Sequence, residues 1–268
     1  MSVLPRVLVK GINFKKLLFS GNRLSGAWST LGSSDVSILM ANAGLDYILI
    51  DLEHGLGGID GVARQVQALL GLETAVVVRL PDHDTSSIKR ILDAGANAIL
   101  APQIDNKKQA EKIIEGALFS PKGRRGVAVG AIAASNHGYL PEAYYHNANK
   151  ALTILTQVES VEAVNVLDDI LETPNLDGIF FGPNDFSASM NKFREYEDPE
   201  FLSIYKKIRD ITLASGKLFG ALPFPGQDAN TLFNSGATIV PNGSDQAFLR
   251  LGASKLVEKT KKVKKQIK

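Results

Sequence analysis

The chain has 268 residues with 30 basic and 28 acidic side chains, a near-neutral balance that offers no strong field for nucleic acid. It contains no cysteine, which excludes disulfides, thiolate metal sites and a cysteine nucleophile, and it fits a reducing compartment, so a cytoplasmic location is expected. Hydrophobic residues make up 44%, ordinary for a globular protein, and no uninterrupted apolar stretch is long enough to span a bilayer.

The first 33 positions hold five basic residues (Arg6, Lys10, Lys15, Lys16, Arg23) and no acid, which suits an organellar transit segment. The run Asn13-Phe14-Lys15-Lys16-Leu17-Leu18 reads better as a helix N-capped by Asn13 and closed at the glycine turn of Gly21. Residues 1–11 are then an extension of one domain that covers the whole chain. Beyond it, β-rich apolar runs alternate with helical patterns. The runs fall at 25–29, 46–51, 75–80, 98–102, 152–158, 178–182, 217–222 and 237–241. The helical patterns fall at 35–43, 59–70, 85–95, 106–117, 161–172, 200–215, 227–235 and 244–265. Ser34, Asp84, Asp105, Ser160 and Ser244 stand where N-caps belong.

Continuous apolar runs suit parallel strands covered on both faces. Eight strand–helix units in a chain of this length predict an α/β fold, a (β/α)8 barrel with an extra N-terminal helix. A doubly wound open sheet is the competitor, but its G-x-G-x-x-G and G-x-x-x-x-G-K-[ST] signatures are missing. About 50 residues separate the fourth and fifth strands, a length that suits function more than an idle connection. The last stretch, Lys255 to Lys268, carries seven lysines with Leu256, Val257, Val263 and Ile267, and predicts an exposed amphipathic helix rather than a membrane or nucleic-acid binder.

In such a barrel the site lies at the C-terminal strand ends. Asp51-Leu52-Glu53-His54-Gly55 follows the second run, Arg79 closes the third, Gln157 and Glu159 close the fifth, and Gly182-Pro183-Asn184-Asp185 follows the sixth. Residues two apart on a strand share a face, so Gln157 and Glu159 point together. Carboxylates at two neighbouring strand ends, with waters and a substrate oxygen, suit a hard divalent cation. Glu159 and Asp185 are therefore candidate metal ligands, although either acid could instead favour a helix N-terminus. His54 is placed for general-base work with Asp51 orienting it, or for a purely structural hydrogen bond. Arg79 suits two-point carboxylate recognition, or an ion pair with Asp51 or Glu53. Trp28 ends the first strand and either lines the pocket or packs the core. Lys122, Arg124 and Arg125 could bind an anion or cover a subunit interface. His83, His137 and His146 read as solvated loop residues.

Together these pieces resemble a known family. GAWSTLGSSD (26–35), IDLEHG (50–55), VVVRLP (76–81), DAGANAILAPQIDN (93–106), SPKGRRGV (120–127), TQVES (156–160) and DGIFFGPNDFSASM (177–190) are similar, in order and spacing, to the HpcH/HpaI aldolase/citrate lyase family. The likeness is to its metal-dependent class II pyruvate aldolases, near the 4-hydroxy-2-oxoacid aldolases, over about residues 13–260. The resemblance implies a (β/α)8 barrel, commonly a homo-hexamer with exchanged C-terminal helices. It implies Mg2+, Mn2+ or Co2+ on Glu159 and Asp185, His54 as base with Asp51 as its partner, and Arg79, Gln157, Trp28 and Pro183 at the substrate. It implies reversible cleavage of a 4-hydroxy-2-oxoacid to pyruvate and an aldehyde. One stretch departs from the family: where close aldolases carry arginines after the glycine-rich segment, residues 131–138 read AIAASNHG. That points away from a dicarboxylate or long acidic substrate. A lysine Schiff-base mechanism is disfavoured, since no apolar run ends in lysine. The alternatives are a related lyase acting on a CoA ester or oxaloacetate, and a catalytically silent barrel scaffold.

Overall fold

The computed structural model describes residues 3–266, with side chains described to Lys261. Met1, Ser2, Ile267 and Lys268, and the Val263 side chain, lie outside the described residues, and so do the expectations that rest on them. The chain opens with α1 (Arg6–Phe19), β1 (Leu24–Ser29), α2 (Ser34–Asn42), β2 (Tyr47–Asp51), α3 (Ile59–Ala68), β3 (Ala75–Arg79), α4 (Thr85–Ala94), β4 (Ala98–Ala101) and α5 (Lys107–Ala117). It continues through α6 (Pro141–Ala151), β5 (Thr153–Val158), α7 (Val161–Asn165), α8 (Leu167–Leu171), β6 (Gly178–Phe181), α9 (Pro183–Ser189) and α10 (Pro199–Ala214). It ends with β7 (Leu218–Ala221), α11 (Ala229–Asn234), β8 (Ile239–Ser244) and α12 (Asp245–Gln266).

The eight strands pair in sequence order, all parallel, and β8 returns to β1, so the sheet is a closed barrel. This is the predicted (β/α)8 fold. Two apolar clusters hold it. One fills the space between strands and surrounding helices, with Ile48, Ile50, Val76, Val78, Ile99 and Phe181 among its members. The other fills the barrel interior, where Leu49, Val77, Leu100, Leu155 and Phe180 meet. That alternation is the two-residue period of a strand, and it sets which way the strand-end side chains point. Asp51, Arg79 and Gln157 each stand two residues past an interior residue, so their side chains aim into the barrel mouth.

The N-terminal helix differs from its prediction. It starts at Arg6 after Pro5, and Asn13 lies inside it rather than capping it. Leu8, Gly11, Phe14 and Leu18 form its buried face, and Phe14 and Leu18 plug the foot of the barrel. The β-branched residues and Gly11 weaken helix propensity here, and packing overrides that weakness. A Cβ on Gly11 would stand 2.8 Å from the Ala151 carbonyl oxygen, so only glycine lets α1 lie against α6. Residues 6–11 are thus part of the packed domain and not an appended extension.

The long connection after α5 also differs. It folds into a short 3-10 turn at Ala133–Ser135 and then α6, which starts with Pro141 at its first turn. Phe119, Ala134, Tyr144 and Ala148 pack with Leu8 of α1. The arginines of this segment have structural duties. Arg125 is buried, pairs with Asp93 at 2.7 Å and lies over the Phe119 ring, whereas Arg124 makes an exposed pair with Glu115. Helix α12 is long and little covered, exposing Phe248, Leu249, Leu251, Leu256 and Val257. Among the described residues no helix is long and apolar enough to cross a membrane.

Candidate active site

The mouth of the barrel brings together side chains from β2, β3, β5 and the turn after β6. Arg79 ends β3 opposite Asp51 of β2 in the strand register. Its Nε donates to Asp51 Oδ1 at 2.9 Å and its Nη2 to Asp51 Oδ2 at 2.7 Å. Its Nη1 reaches Glu53 Oε2 at 2.9 Å. The guanidinium also lies 4.5 Å from the centre of the Trp28 ring, and that ring meets Phe180 edge-on. Trp28 therefore serves both readings made of it: it is packed into the interior, and it forms the floor beneath Arg79. Burial alone would raise the Asp51 carboxyl, but the hydrogen bonds and charge of Arg79 outweigh it and hold the group below the ordinary carboxylate value.

One expected pairing is not formed. The sequence predicts that Asp51 orients the His54 imidazole. Its Oδ1 instead accepts the backbone N–H groups of Glu53 and His54, at 3.0 and 3.2 Å. The carboxylate folds its own loop around itself, in the manner of an Asx turn, and gives its remaining capacity to Arg79. The His54 side chain is 68% exposed, with Glu53 Oε2 at 4.0 Å as its nearest carboxylate. His54 thus stands at the mouth in contact with solvent, its ring free of Asp51.

Across the mouth lies a different environment. Glu159 follows β5 and is 6% exposed. Its Oε1 accepts the Gln103 backbone N–H at 2.8 Å, from a residue with left-handed backbone (φ 50°). Its Oε2 accepts from Gln157 Nε2. Burial first, and then the charges of Asp185 and Glu53, push the Glu159 carboxyl up to about 7, against the pull of the Gln103 hydrogen bond. Burial also raises Glu53, Arg79 pulls it back, and Asp51 and Asp185 add repulsion. Asp185 sits in the first turn of α9, exposed, while Pro183 beside it is buried at the start of that helix.

Two features show what this acidic side could hold. Gln157 Oε1 is buried and has no hydrogen-bond partner. Gly182 leaves the space that Glu159 and Gln157 use: a Cβ there would stand 2.6 Å from Glu159 Oε2 and 2.8 Å from Gln157 Nε2. A partnerless amide oxygen beside mutually repelling carboxylates is a donor set of the kind hard divalent cations take. Among the described residues no three His, Asp or Glu side chains form a ready protein cage. The donor set fits a cation that completes its shell with water and substrate oxygens.

Sequence reasoning brings Asp51, Arg79, Gln157, Glu159 and Asp185 to the same end of the barrel and offers Glu53 as an ion-pair partner of Arg79, a pair that forms at 2.9 Å, but it gives the Gln103 backbone no contact to Glu159. Gln103 acts through its backbone, which leaves no residue-type signal. His83, expected to be solvated, has its Nε2 at 2.6 Å from the Pro102 carbonyl oxygen. His137 and His146 are exposed as expected.

Known proteins resemble this chain in sequence and in fold. The sequence profile of the HpcH/HpaI aldolase/citrate lyase family matches residues 24–250. A 5-keto-4-deoxy-D-glucarate aldolase of Enterobacter sp. (strain 638) is 34% identical over 249 residues, 93% of this chain and 96% of that protein. A crystal structure of an HpcH/HpaI aldolase/citrate lyase family protein from Burkholderia cenocepacia J2315 superposes with a TM-score of 0.86 at 28% identity, covering 93% of this chain and 99% of that one. An HpcH/HpaI aldolase from Desulfitobacterium hafniense DCB-2 superposes with a TM-score of 0.83 at 26% identity, covering 92% of this chain and 96% of that one.

Proposed function

The chain belongs to the HpcH/HpaI aldolase/citrate lyase family, and on that premise we propose that it is a carbon–carbon lyase, a divalent-metal-dependent aldolase that reversibly cleaves a 4-hydroxy-2-oxoacid to pyruvate and an aldehyde. The observation that carries the reading is the unbalanced acidic pocket of Glu159, Asp185 and the partnerless Gln157 oxygen, facing an Arg79 that Asp51 and Glu53 fix through three of its five N–H groups.

Glu159 and Asp185 would hold Mg2+, Mn2+ or Co2+, with Gln157 beside them. Bound there, the ion supplies Lewis acidity at the oxoacid end of the substrate. The rest is the work of the chain's own groups. Arg79, held over the Trp28 ring by Asp51 and Glu53, presents a fixed positive charge to the C2 oxygen, where negative charge develops as the C3–C4 bond breaks. His54, on the solvent side, takes the proton of the C4 hydroxyl, so that C4 leaves as a carbonyl. The buried interior beneath Trp28 and Phe180 excludes water from below. Pro183 starts α9 and sets the direction of Asp185.

The name of the Enterobacter relative fits this class. Counted from its keto end, a 5-keto-4-deoxyglucarate has its ketone at the second carbon, a methylene at the third and a hydroxyl at the fourth, and it carries a second carboxylate. Because residues 131–138 of this chain contain no arginine, we place a monocarboxylic 4-hydroxy-2-oxoacid ahead of such a diacid. A homo-oligomer, a hexamer by resemblance, is supported by the apolar face that α12 leaves exposed. The cytoplasm is the proposed location, on the ground that the chain carries no cysteine. The test is pyruvate release from a panel of 4-hydroxy-2-oxoacids after chelation, with and without Mn2+ restored. Metal-dependent release is expected. Release from none of them refutes the aldolase reading, and turnover of a CoA ester or oxaloacetate alone replaces it with the neighbouring lyase chemistry.

A further inference from the structure

Asp245 is a third buried carboxylate at the same end of the barrel, after Asp51 and Glu159, at 1% exposed, and it has no part in the aldol chemistry assigned to Arg79, His54, Glu159 and Asp185. It opens α12. One oxygen accepts Thr30 N and Leu31 N, both at 2.9 Å, and the other accepts Thr30 Oγ1 at 2.7 Å and Gln246 N at 2.8 Å. Only the last of these donors belongs to its own helix. The other three lie in the connection that follows β1, so the carboxylate ties the start of α12 to that connection.

That connection in turn grips the loop that carries His54. Thr30 O accepts Leu56 N at 2.8 Å. A Cβ on Gly55 would stand 2.1 Å from Asp51 O and 3.3 Å from Thr30 O, and one on Gly32 would stand 3.2 Å from the Gly57 Cα. Residues 55–57 therefore lie flush against residues 30–32 with no side chain between them. The loop is held at its near end by Asp51, through the His54 backbone N–H, and at its far end by Thr30. Neither carboxylate touches the imidazole.

We propose that Asp245 is a positioning residue for His54, acting through Thr30 and Leu31. The proposal rests on the reading of His54 as the base that serves the aldehyde half of the substrate. A charge with four donors and no rotational freedom fixes the β1 connection, and the backbone contacts at 30–32 and 55–57 carry that fixity to the His54 loop. An amide in place of the carboxylate would turn its NH2 toward two of the four donors whichever way it faces.

The test compares two reactions of one protein. Aldol cleavage needs a proton taken from the C4 hydroxyl. Decarboxylation of oxaloacetate does not: the bond from C3 to the departing carboxylate carbon breaks, CO2 leaves, and the electron pair moves to the C2 oxygen. Asp245→Asn should lower kcat for cleavage on the order of 10- to 100-fold, while decarboxylation changes by less than about two-fold. The Leu56 amide should exchange its hydrogen faster. The double variant with His54→Ala should lose no more cleavage than His54→Ala alone, because the two act at one point. Thr30→Val, which keeps both backbone contacts and removes only the hydroxyl, should show a smaller loss of the same pattern and serves if Asp245→Asn does not fold. Equal losses in both reactions, multiplying losses in the double variant, or unchanged Leu56 exchange would overturn the positioning role. If His54→Ala itself spares cleavage, the base reading falls and this one with it. A selective loss in His54→Ala without one in Asp245→Asn or Thr30→Val overturns this inference alone.

Discussion

Asp177 and Glu159 are both buried acids at ends of barrel strands, and they live under opposite conditions. Asp177 stands at the foot, just before β6. It takes Lys15 Nζ from α1 and Ile154 N from β5, each at 2.8 Å. Burial raises its carboxyl and the nearby lysines oppose the rise. Glu159 stands at the mouth with no lysine or arginine bonded to it, beside two other acids and an amide oxygen without a partner. The foot is a closed set of charges that ties α1, β5 and β6 together. The mouth is left unbalanced, as expected where a site must take up a cation rather than hold the fold.

The contrast predicts opposite results for similar substitutions. Glu159→Gln and Asp185→Asn should each cost activity on the order of 10²- to 10³-fold. Their melting temperatures should stay near that of the unaltered protein, since each removes a member of a repelling set. Titration calorimetry with Mn2+ decides the cause, and unchanged affinity in both variants would sink the metal assignment. Arg79→Lys comes next, with a loss of about 10²-fold in kcat/KM, because one ammonium cannot reproduce the planar fork that pairs with both Asp51 and Glu53 over the Trp28 ring. Near-normal turnover would make Arg79 purely structural. At the foot, Asp177→Asn should leave kcat unchanged and cost about 1–3 kcal/mol of stability by stranding Lys15 and weakening the β5–β6 entrance, as read by denaturant unfolding. A large activity loss there would erase the distinction between the two ends.

The smallest effect concerns a foot residue that breaks the pattern. Lys10 is buried with only the Leu69 carbonyl oxygen as acceptor, at 2.8 Å. Burial first, then the charge of Arg6, lowers its ammonium to about 8. The native state then releases this proton before the unfolded chain does. Below pH 8 both states hold the proton and burial of the charge costs stability, whereas between about pH 8 and 10.5 the unfolded chain holds more protons and stability rises with pH. Lys10→Met should remove that slope. Parallel pH dependence of unfolding in the two proteins would show that Lys10 titrates normally.

Much of the fold and the site is legible in the sequence, for identifiable reasons. Strands buried on both faces read as unbroken apolar runs, so all eight stand out, and an arginine inside AVVVRLP has few explanations other than a site. Ser160 caps α7 as expected, and Ser244 bonds the first turn of α12. Elsewhere the cap is off by one: Ser33 rather than Ser34 caps α2, and Asn106 rather than Asp105 caps α5, leaving Asp105 to accept the Ser160 hydroxyl. Asp84 holds a cap position without the side-chain bond. The Asp51–His54 spacing misleads because an acid three residues before a histidine can reach either its ring or its backbone N–H, and only the loop path decides. Helix α6 is hidden by its polar, asparagine-bearing face, since its burial depends on α1 arriving from far away in sequence. Asp245 looks like an ordinary acid in a first helical turn, and nothing local in sequence points to Thr30.

The acid pair and its amide neighbour come from one uninterrupted stretch, β5 through the start of α9, while Asp51, Glu53, His54 and Arg79 come from another, β2 through β3. The two halves of the mouth are thus encoded separately. A gene that acquired the later stretch from a relative would inherit Gln157, Glu159 and Asp185 together, with the Gly182 clearance, and would still draw the Gln103 backbone contact to Glu159 from the stretch before it. A chimaera exchanging residues 153–190 is the corresponding unit of exchange.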